Sequence, residues 1–383
     1  MSSKKKVLSF GDVMGFVDGK SDIDCSNRSL TSLEGCPETV VGSFNCSGNF
    51  LMTLEGGPRY VGGDYNCSNN KLVSLEGSPE ETHDFDCSHN GLSILEGAPR
   101  TVNGDFDCSD NSLISLSGVT GKIRGSFDCS GNRLVTLDGA PRKTGGDFSC
   151  AGNLLISLDG SPLEVDDFDC SGNTLATLMG GPDEVHGDFD CRDNQLTSLM
   201  GAPVFVKGSF FCADNHLSSL KNGPVEVHGT YDCSRNQLSS LKGAPRETDG
   251  KFICSQNRLV SLKGAPGEVA GFDCSRNQIE TLAESPEKVN GDFNCSHNRL
   301  KTLKGAPKKV KGVFDCSWNQ LESLKGSPVK VKGAFICSGN RIASLEGHLK
   351  KVGEDFVCRE NTCPIDVTEC RSHFVIKGGI VID

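Results

Sequence analysis

Cysteine recurs in this chain every 20 or 21 residues, at seventeen positions from Cys25 to Cys358. A fixed period of that length marks a structural unit that packs on its own next copy, so the chain is read first as a repeat array. One turn, 289–307, shows the full pattern: apolar-x-Gly-x-Phe-x-Cys-Ser-x-Asn-x-Leu-x-x-Leu-x-Gly-x-Pro. It recurs from about residue 22 to about 357 without a linker. A chain of 383 residues would otherwise suggest two or three domains. An array escapes the size limit of a single core because each unit touches only its neighbours.

Each column has a physical cause. Phe or Tyr two residues before the Cys (Phe44, Tyr65, Phe85, Phe106, through Phe356) has strand spacing, so both side chains share one face, and that face must point inward. Leu at five and eight residues after the Cys, as in Leu51 with Leu54 and Leu300 with Leu303, closes the core from the other side. Asn three residues after the Cys, from Asn49 and Asn70 to Asn361, sets an amide where it can satisfy backbone groups of adjacent turns. The Gly-x-Pro step, Gly97 to Pro99 for one, stops any helix and removes a donor, which predicts an extended or polyproline-like return path. Little or no α-helix is expected. The turns ending at Cys87, Cys170 and Cys274 are one residue short, each loss falling between the Pro and the next Phe, which predicts a surface bend just before the strand.

The motif Val-x-Gly-x-Phe-x-Cys-Ser-x-Asn-x-Leu-x-x-Leu resembles the leucine-rich repeat, with Phe and Cys standing where that family has its Leu-x-Leu strand pair. The resemblance covers about nine-tenths of the chain. Its short period and Gly-x-Pro return are closer to the prokaryotic and bacteriophage versions than to the longer eukaryotic ones. It departs from the family in the Phe and Cys, and in one extra residue before the strand. The resemblance implies an all-β, right-handed, parallel-strand solenoid of about 17 turns, with strands along a concave face and a role in protein recognition. Because the return path is also extended, weak curvature is expected, and seventeen strands at about 4.8 Å would give a face on the order of 80 Å long. An open stack must be capped, so residues 1–21 are read as an N-terminal cap, 22–358 as the solenoid and 359–383 as a C-terminal cap. Ile23 replaces Phe and Arg28 takes the Asn column in the first turn, while Cys363 and Asp366 occupy the Leu columns at the end, where the apolar stretch 374–382 forms the rear cap.

Placement decides what the cysteines mean. Neighbouring ladder cysteines would have parallel Cβ vectors nearly 5 Å apart, wider than the roughly 3.8 Å a disulfide prefers, and no Cys-x-x-Cys pair occurs. Reduced Cys acts as a small buried hydrophobe, so the ladder reads as a slim core beside bulky Phe in a reducing, cytoplasmic compartment. A Cys363–Cys370 bridge stays conceivable. No signal-peptide core or membrane-length apolar run is found. A net charge of -11 argues against direct nucleic-acid binding.

Function is expected on strand residues that point away from the core. In the early turns these columns are acidic, and the candidate partner-binding residues are Asp64, Asp84, Asp86, Asp105, Asp107, Asp128, Asp147, Asp167, Asp169, Asp188 and Asp190. Carboxylates stacked in register destabilise a sheet and raise one another's pKa, so a basic protein, bound cations or imitation of a nucleic-acid backbone would explain them better than stability does. The bland alternative is a solubilising face copied by duplication. Later turns place Phe211, Ile253 and Ile336 at positions expected to face solvent, as binding anchors do, with Phe211 beside Arg192. Charge is polarised too: residues 1–191 carry 13 basic against 29 acidic side chains, and 192–383 carry 26 against 21. The column after the second Leu runs Glu34, Glu55, Glu76 and Glu96 early but Lys221, Lys242, Lys304 and Lys325 late. A dipolar rod, two different partners and separate duplications all remain compatible with that.

The eight histidines fall in different turns and columns, none at a metal-ligand spacing. Paired glycines such as Gly62 and Gly63 precede strands and open no helix, so they are turn glycines rather than phosphate loops. No catalytic residue, metal or cofactor is expected. The leading reading is a non-enzymatic, protein-binding host-interaction factor. The alternatives are an acidic mimic that blocks a nucleic-acid-binding protein, and a self-assembling structural component.

Overall fold

Each repeat lays down a two-residue strand at its Phe-x step, and the next repeat returns the chain in the same direction, so every such strand pairs parallel with its copy. The structure is a computed structural model that describes residues 8–119, 121–246, 248–362 and 366–382. It divides into two compact units, Met1–Gly187 and Asp188–Asp383. In the first unit the aromatic column is in register throughout, with Phe44 opposite Tyr65, Phe85 opposite Phe106 and Phe127 opposite Phe148. In the second, Tyr231 faces Phe252 and Phe314 faces Phe335 in the same way. The chain is an almost wholly β, parallel-strand solenoid of about seventeen turns.

The inward columns are the core. Phe, Cys and both Leu are buried in turn after turn, and the rings stack along the column, with centroids 5.5 Å apart for Phe127 and Phe148 and 5.3 Å for Tyr231 and Phe252. Burial pushes the ladder thiols up in pKa: Cys25 to about 12, and thirteen others, Cys46 through Cys337, well above the ordinary value. Many thiols also donate weakly to the next turn, as Cys108 does to the Asp128 carbonyl at 3.2 Å. No disulfide links the described cysteines, and Cys363 lies outside the described residues.

The Asn column binds turn to turn. Asn132 donates to the carbonyls of Cys108, Cys129 and Ser130, each at 3.1 Å, and its oxygen accepts from the Leu113 amide at 2.9 Å. The Gly-x-Pro step begins in a tight turn in which the Ala98 amide donates to the Leu95 carbonyl. Gly97 has φ 89° there, and a Cβ would lie 2.7 Å from the Leu75 carbonyl carbon, so only glycine fits.

The segment before the main strand differs from the surface bend expected of it. Its first half is a second short strand, as in Glu81–Thr82, Thr101–Val102 and Lys122–Ile123, which pair parallel in one sheet. Its apolar residue is buried and only the residues after it bend. At the rear, Ile380–Ile382 pairs with Phe356–Cys358 and Val375–Ile376 with Lys351–Val352, so both strand sets run one step further than the motif does. Ile380 and Ile382 take the places of Phe and Cys, which is why no motif was visible. Helix α1, Phe10–Met14, seats buried Phe10 on Phe44. Helix α2, Val367–His373, is N-capped by Asp366 and buries Cys370.

Two positions of the Phe column carry Tyr. The hydroxyls of Tyr65 and Tyr231 are fully buried without a conventional partner, lying against the thiols of Cys46 and Cys212. Each is accommodated by a glycine: a Cβ on Gly57 would lie 3.3 Å from the Tyr65 hydroxyl, and one on Gly223 3.5 Å from that of Tyr231. An unsatisfied buried hydroxyl costs about 1–3 kcal/mol. Tyr65→Phe is therefore expected to leave stability unchanged or raise it by about 1 kcal/mol, and a loss above about 1 kcal/mol in urea unfolding would show a hydrogen bond there.

Candidate strand-face docking site

In the first unit the outward column three residues before each Cys is a hydrogen-bond ladder. The side-chain oxygen of one turn accepts the backbone amide of the same column in the next: Asp84 from Asp105 at 2.9 Å, Asp105 from Ser126 at 2.7 Å, and Ser126 from Asp147 at 3.1 Å. Asp64 receives Asp84 and Asp147 receives Asp167 in the same way. The column just before the Cys works locally. Asp86, Asp107, Asp128 and Asp169 each accept the amide two residues on, at 2.8–3.0 Å.

These contacts give the stacked carboxylates a structural role beside the partner-binding one expected of them. Asp, Ser and Thr interchange in the first column, and Asp and Asn in the second, because each carries an oxygen within reach of the same amide, and that interchange was the overlooked sequence signal. The expected rise in pKa is found at Asp107, where burial is the main cause and Asp128 and Asp86 add to it. At Asp24 the shift runs the other way, because the Ser26 amide and hydroxyl hold the carboxylate down. Asp105, Asp147 and Asp167 remain exposed.

In the second unit Asp188 accepts from the Ser209 amide, and Asp190 accepts from the Arg192 amide and also holds its guanidinium. That guanidinium lies over the Phe211 ring, 5.0 Å from its centroid. Phe211, Ile253 and Ile336 are half-buried rather than solvent-facing, because neighbouring strands cover part of each side chain. Gly271 leaves a hollow of about 210 Å3 beside Ile253, edged by Lys251, Asp273 and Asp292.

Sequence reading missed an exposed apolar row in the first unit, between the two Leu columns: Met52, Val73, Ile114, Val135 and Ile156, each 44–65% exposed. Its signal was an apolar residue in a loop position that the core does not use. Spacing along the sequence does not show which groups meet a histidine across turns: adjacent turns bring His83 Nδ1 within 3.1 Å of Asp64 and 3.0 Å of Asp84. A second group joins Glu164, Glu184 and His186. Both lie at the surface and are explained as polar contacts between side chains of adjacent turns, with Glu164 held below the usual carboxylate range by its hydrogen bond from His186. No described helix is long and apolar enough to cross a membrane.

No protein-family model matches the chain, and no curated protein matches it. Two solved structures share the architecture over most of both chains. The leucine-rich effector protein YopM of Yersinia pestis is 19% identical, covering 85% of this chain and 84% of its own, with a TM-score of 0.52. The leucine-rich-repeat protein LIC12759 of Leptospira interrogans is 15% identical, covering 93% and 95%, with a TM-score of 0.53. These likenesses show a leucine-rich-repeat type of fold.

Proposed function

We propose that this chain is a non-enzymatic protein-binding solenoid that receives its partner on the main strand face, with Phe211, Ile253 and Ile336 as the anchors. One observation carries the reading. In that column most turns spend an Asp or Asn on the strand-exit amide, and Phe211, Ile253 and Ile336 give that hydrogen bond up, at a cost of about 0.5–1.5 kcal/mol each. A half-buried apolar side chain in its place regains that loss when a partner covers it. The hollow beside Ile253 offers a floor for one partner side chain, with both signs of charge at its edge. Reduced core thiols fit a cytoplasmic setting. The likeness to a bacterial effector supports a host-interaction role.

The exposed Asp105, Asp147 and Asp167 favour a second reading, in which a basic or nucleic-acid-binding protein docks on the first unit's acidic face. Capture of proteins from a bacterial lysate, at low and high salt, distinguishes the two. The Phe211→Ala, Ile253→Ala, Ile336→Ala variant is expected to lose a salt-resistant partner by tenfold or more, on the order of what hot-spot truncation costs. Loss instead in the variant with Asp84, Asp86, Asp105 and Asp107 changed to Lys, for a partner that salt also releases, would move the site to the acidic face. A partner held equally by both variants sinks the strand-face proposal.

A further inference from the structure

In the second unit, the column that opens the short strands before the main strands changes sign once among the described residues. It carries Glu226 on Glu226–Val227, at the end of one small sheet, and Glu268 on Glu268–Val269, at the start of another, then Lys288, Lys309, Lys330 and Lys351 on the four strands of that second sheet that follow. Lys309, Lys330 and Lys351 are direct register partners, so like charges stand opposite one another on neighbouring strands, an arrangement that destabilises a sheet. Lys308, Lys311 and Lys332 line the same groove, of about 620 Å3. Among the described residues, only Lys288 of this groove has an ion pair, to Glu268 at 2.8 Å.

We propose that the face formed by these two small sheets is a self-complementary interface on which a second copy of the chain docks antiparallel, lysines of each copy on glutamates of the other. Glu226 and Glu268 stand two turns apart, as Lys288 and Lys330 do, so a second copy presents these two carboxylates at the pitch of these two lysines. A phosphate backbone has no reason to share that pitch. A two-fold axis at the step between Glu268 and Lys288 makes the contact isologous. Lys288 of each copy then meets Glu268 of the other, Lys330 meets Glu226, and Lys311 meets Asp249.

The same register sets Val225 against Val329, which are 64% and 37% exposed, and so supplies an apolar contact between the charged rungs. Among the described residues one like-charged meeting results, Arg246 with Lys308, at the edge column, and Lys351 meets Phe205 rather than a carboxylate. The interface is independent of the strand-face site and involves none of its anchors.

Sedimentation of the full chain tests the pairing. In about 50 mM salt the protein is expected to be a dimer at high micromolar concentration, shifting to monomer in about 500 mM salt as the rungs are screened. The variants Lys309→Glu with Lys330→Glu, and Glu226→Lys with Glu268→Lys, are each expected to be monomeric, and an equimolar mixture of the two to recover the dimer. Restored pairing is a result that misfolded variants cannot give. A monomer at every salt and concentration overturns the proposal, as does a dimer that persists in both variants. A monomeric parent that holds a labelled DNA duplex, with binding lost in Lys309→Glu with Lys330→Glu, would overturn it in favour of a phosphate-binding groove.

Discussion

Raising the pH to about 9.5 under reducing conditions is expected to unfold this protein cooperatively. Thirteen ladder thiols are held well above their ordinary pKa by burial, so they keep their protons in the fold. In the unfolded chain the same thiols ionise near pH 8.5. The contribution of each is therefore whole below that pH and is lost above it, as the unfolded state comes to bind fewer protons than the native one. The slope is about 1.4 kcal/mol per pH unit for each thiol. At about pH 9.5 the thirteen together remove on the order of 18 kcal/mol, more than the roughly 5–15 kcal/mol that holds an ordinary domain together. Thiolate absorbance and far-ultraviolet circular dichroism should change together. Replacing Cys129 and Cys150 by alanine should weaken the fold at neutral pH yet reduce its pH dependence by about 3 kcal/mol per unit. Thiolates that appear gradually while the dichroism holds steady would show that the ladder ionises inside the fold.

Asn236→Ala is expected to cost about 4 kcal/mol or more, a large effect for a side chain at the margin of the core. The amide donates to the carbonyls of Cys212 at 2.9 Å, Cys233 at 3.2 Å and Ser234 at 3.0 Å, and accepts from the Leu217 amide at 2.9 Å. Alanine leaves these backbone groups buried and short of partners, each at about 1–3 kcal/mol. Two of the four belong to the preceding turn, so the damage crosses a repeat boundary. Amide exchange at Leu217 should accelerate along with the fall in denaturation midpoint. Asn236→Asp should be no milder, because a carboxylate keeps the acceptor but turns two donors into repulsion against carbonyl oxygens. A loss under about 1 kcal/mol would mean that water replaces the amide.

Much of the architecture was legible because the repeat states it many times over. Phe, Cys and Leu columns read as core because a residue every 20 or 21 positions, in strand spacing, can only stack on itself. The Asn column read as a ladder because one residue type fills it. The polar strand columns were harder, since Ser43, Ser126, Ser209 and Thr230 share a column with Asp64, Asp84 and Asp105. What they have in common is an acceptor at one reach, not a charge, and reading the charge alone left only a partner-binding or a solubilising face in view. Phe211, Ile253 and Ile336 stood out as apolar residues in a polar column, but their half-burial depends on the strands beside them.

The sequence by itself determined the parallel β-solenoid, its core columns and its amide ladder, because those depend only on period and on the chemistry of one turn repeated. Only the tertiary structure decided which groups meet across turns: the carboxylates that cap neighbouring amides, His83 between Asp64 and Asp84, the second run of short strands, and the final strands in which Ile380 and Ile382 replace Phe and Cys. Such meetings turn on a few ångströms of side-chain reach between residues some twenty positions apart. A periodic pattern sets the columns side by side, but whether two polar atoms bond depends on the path of the backbone between them.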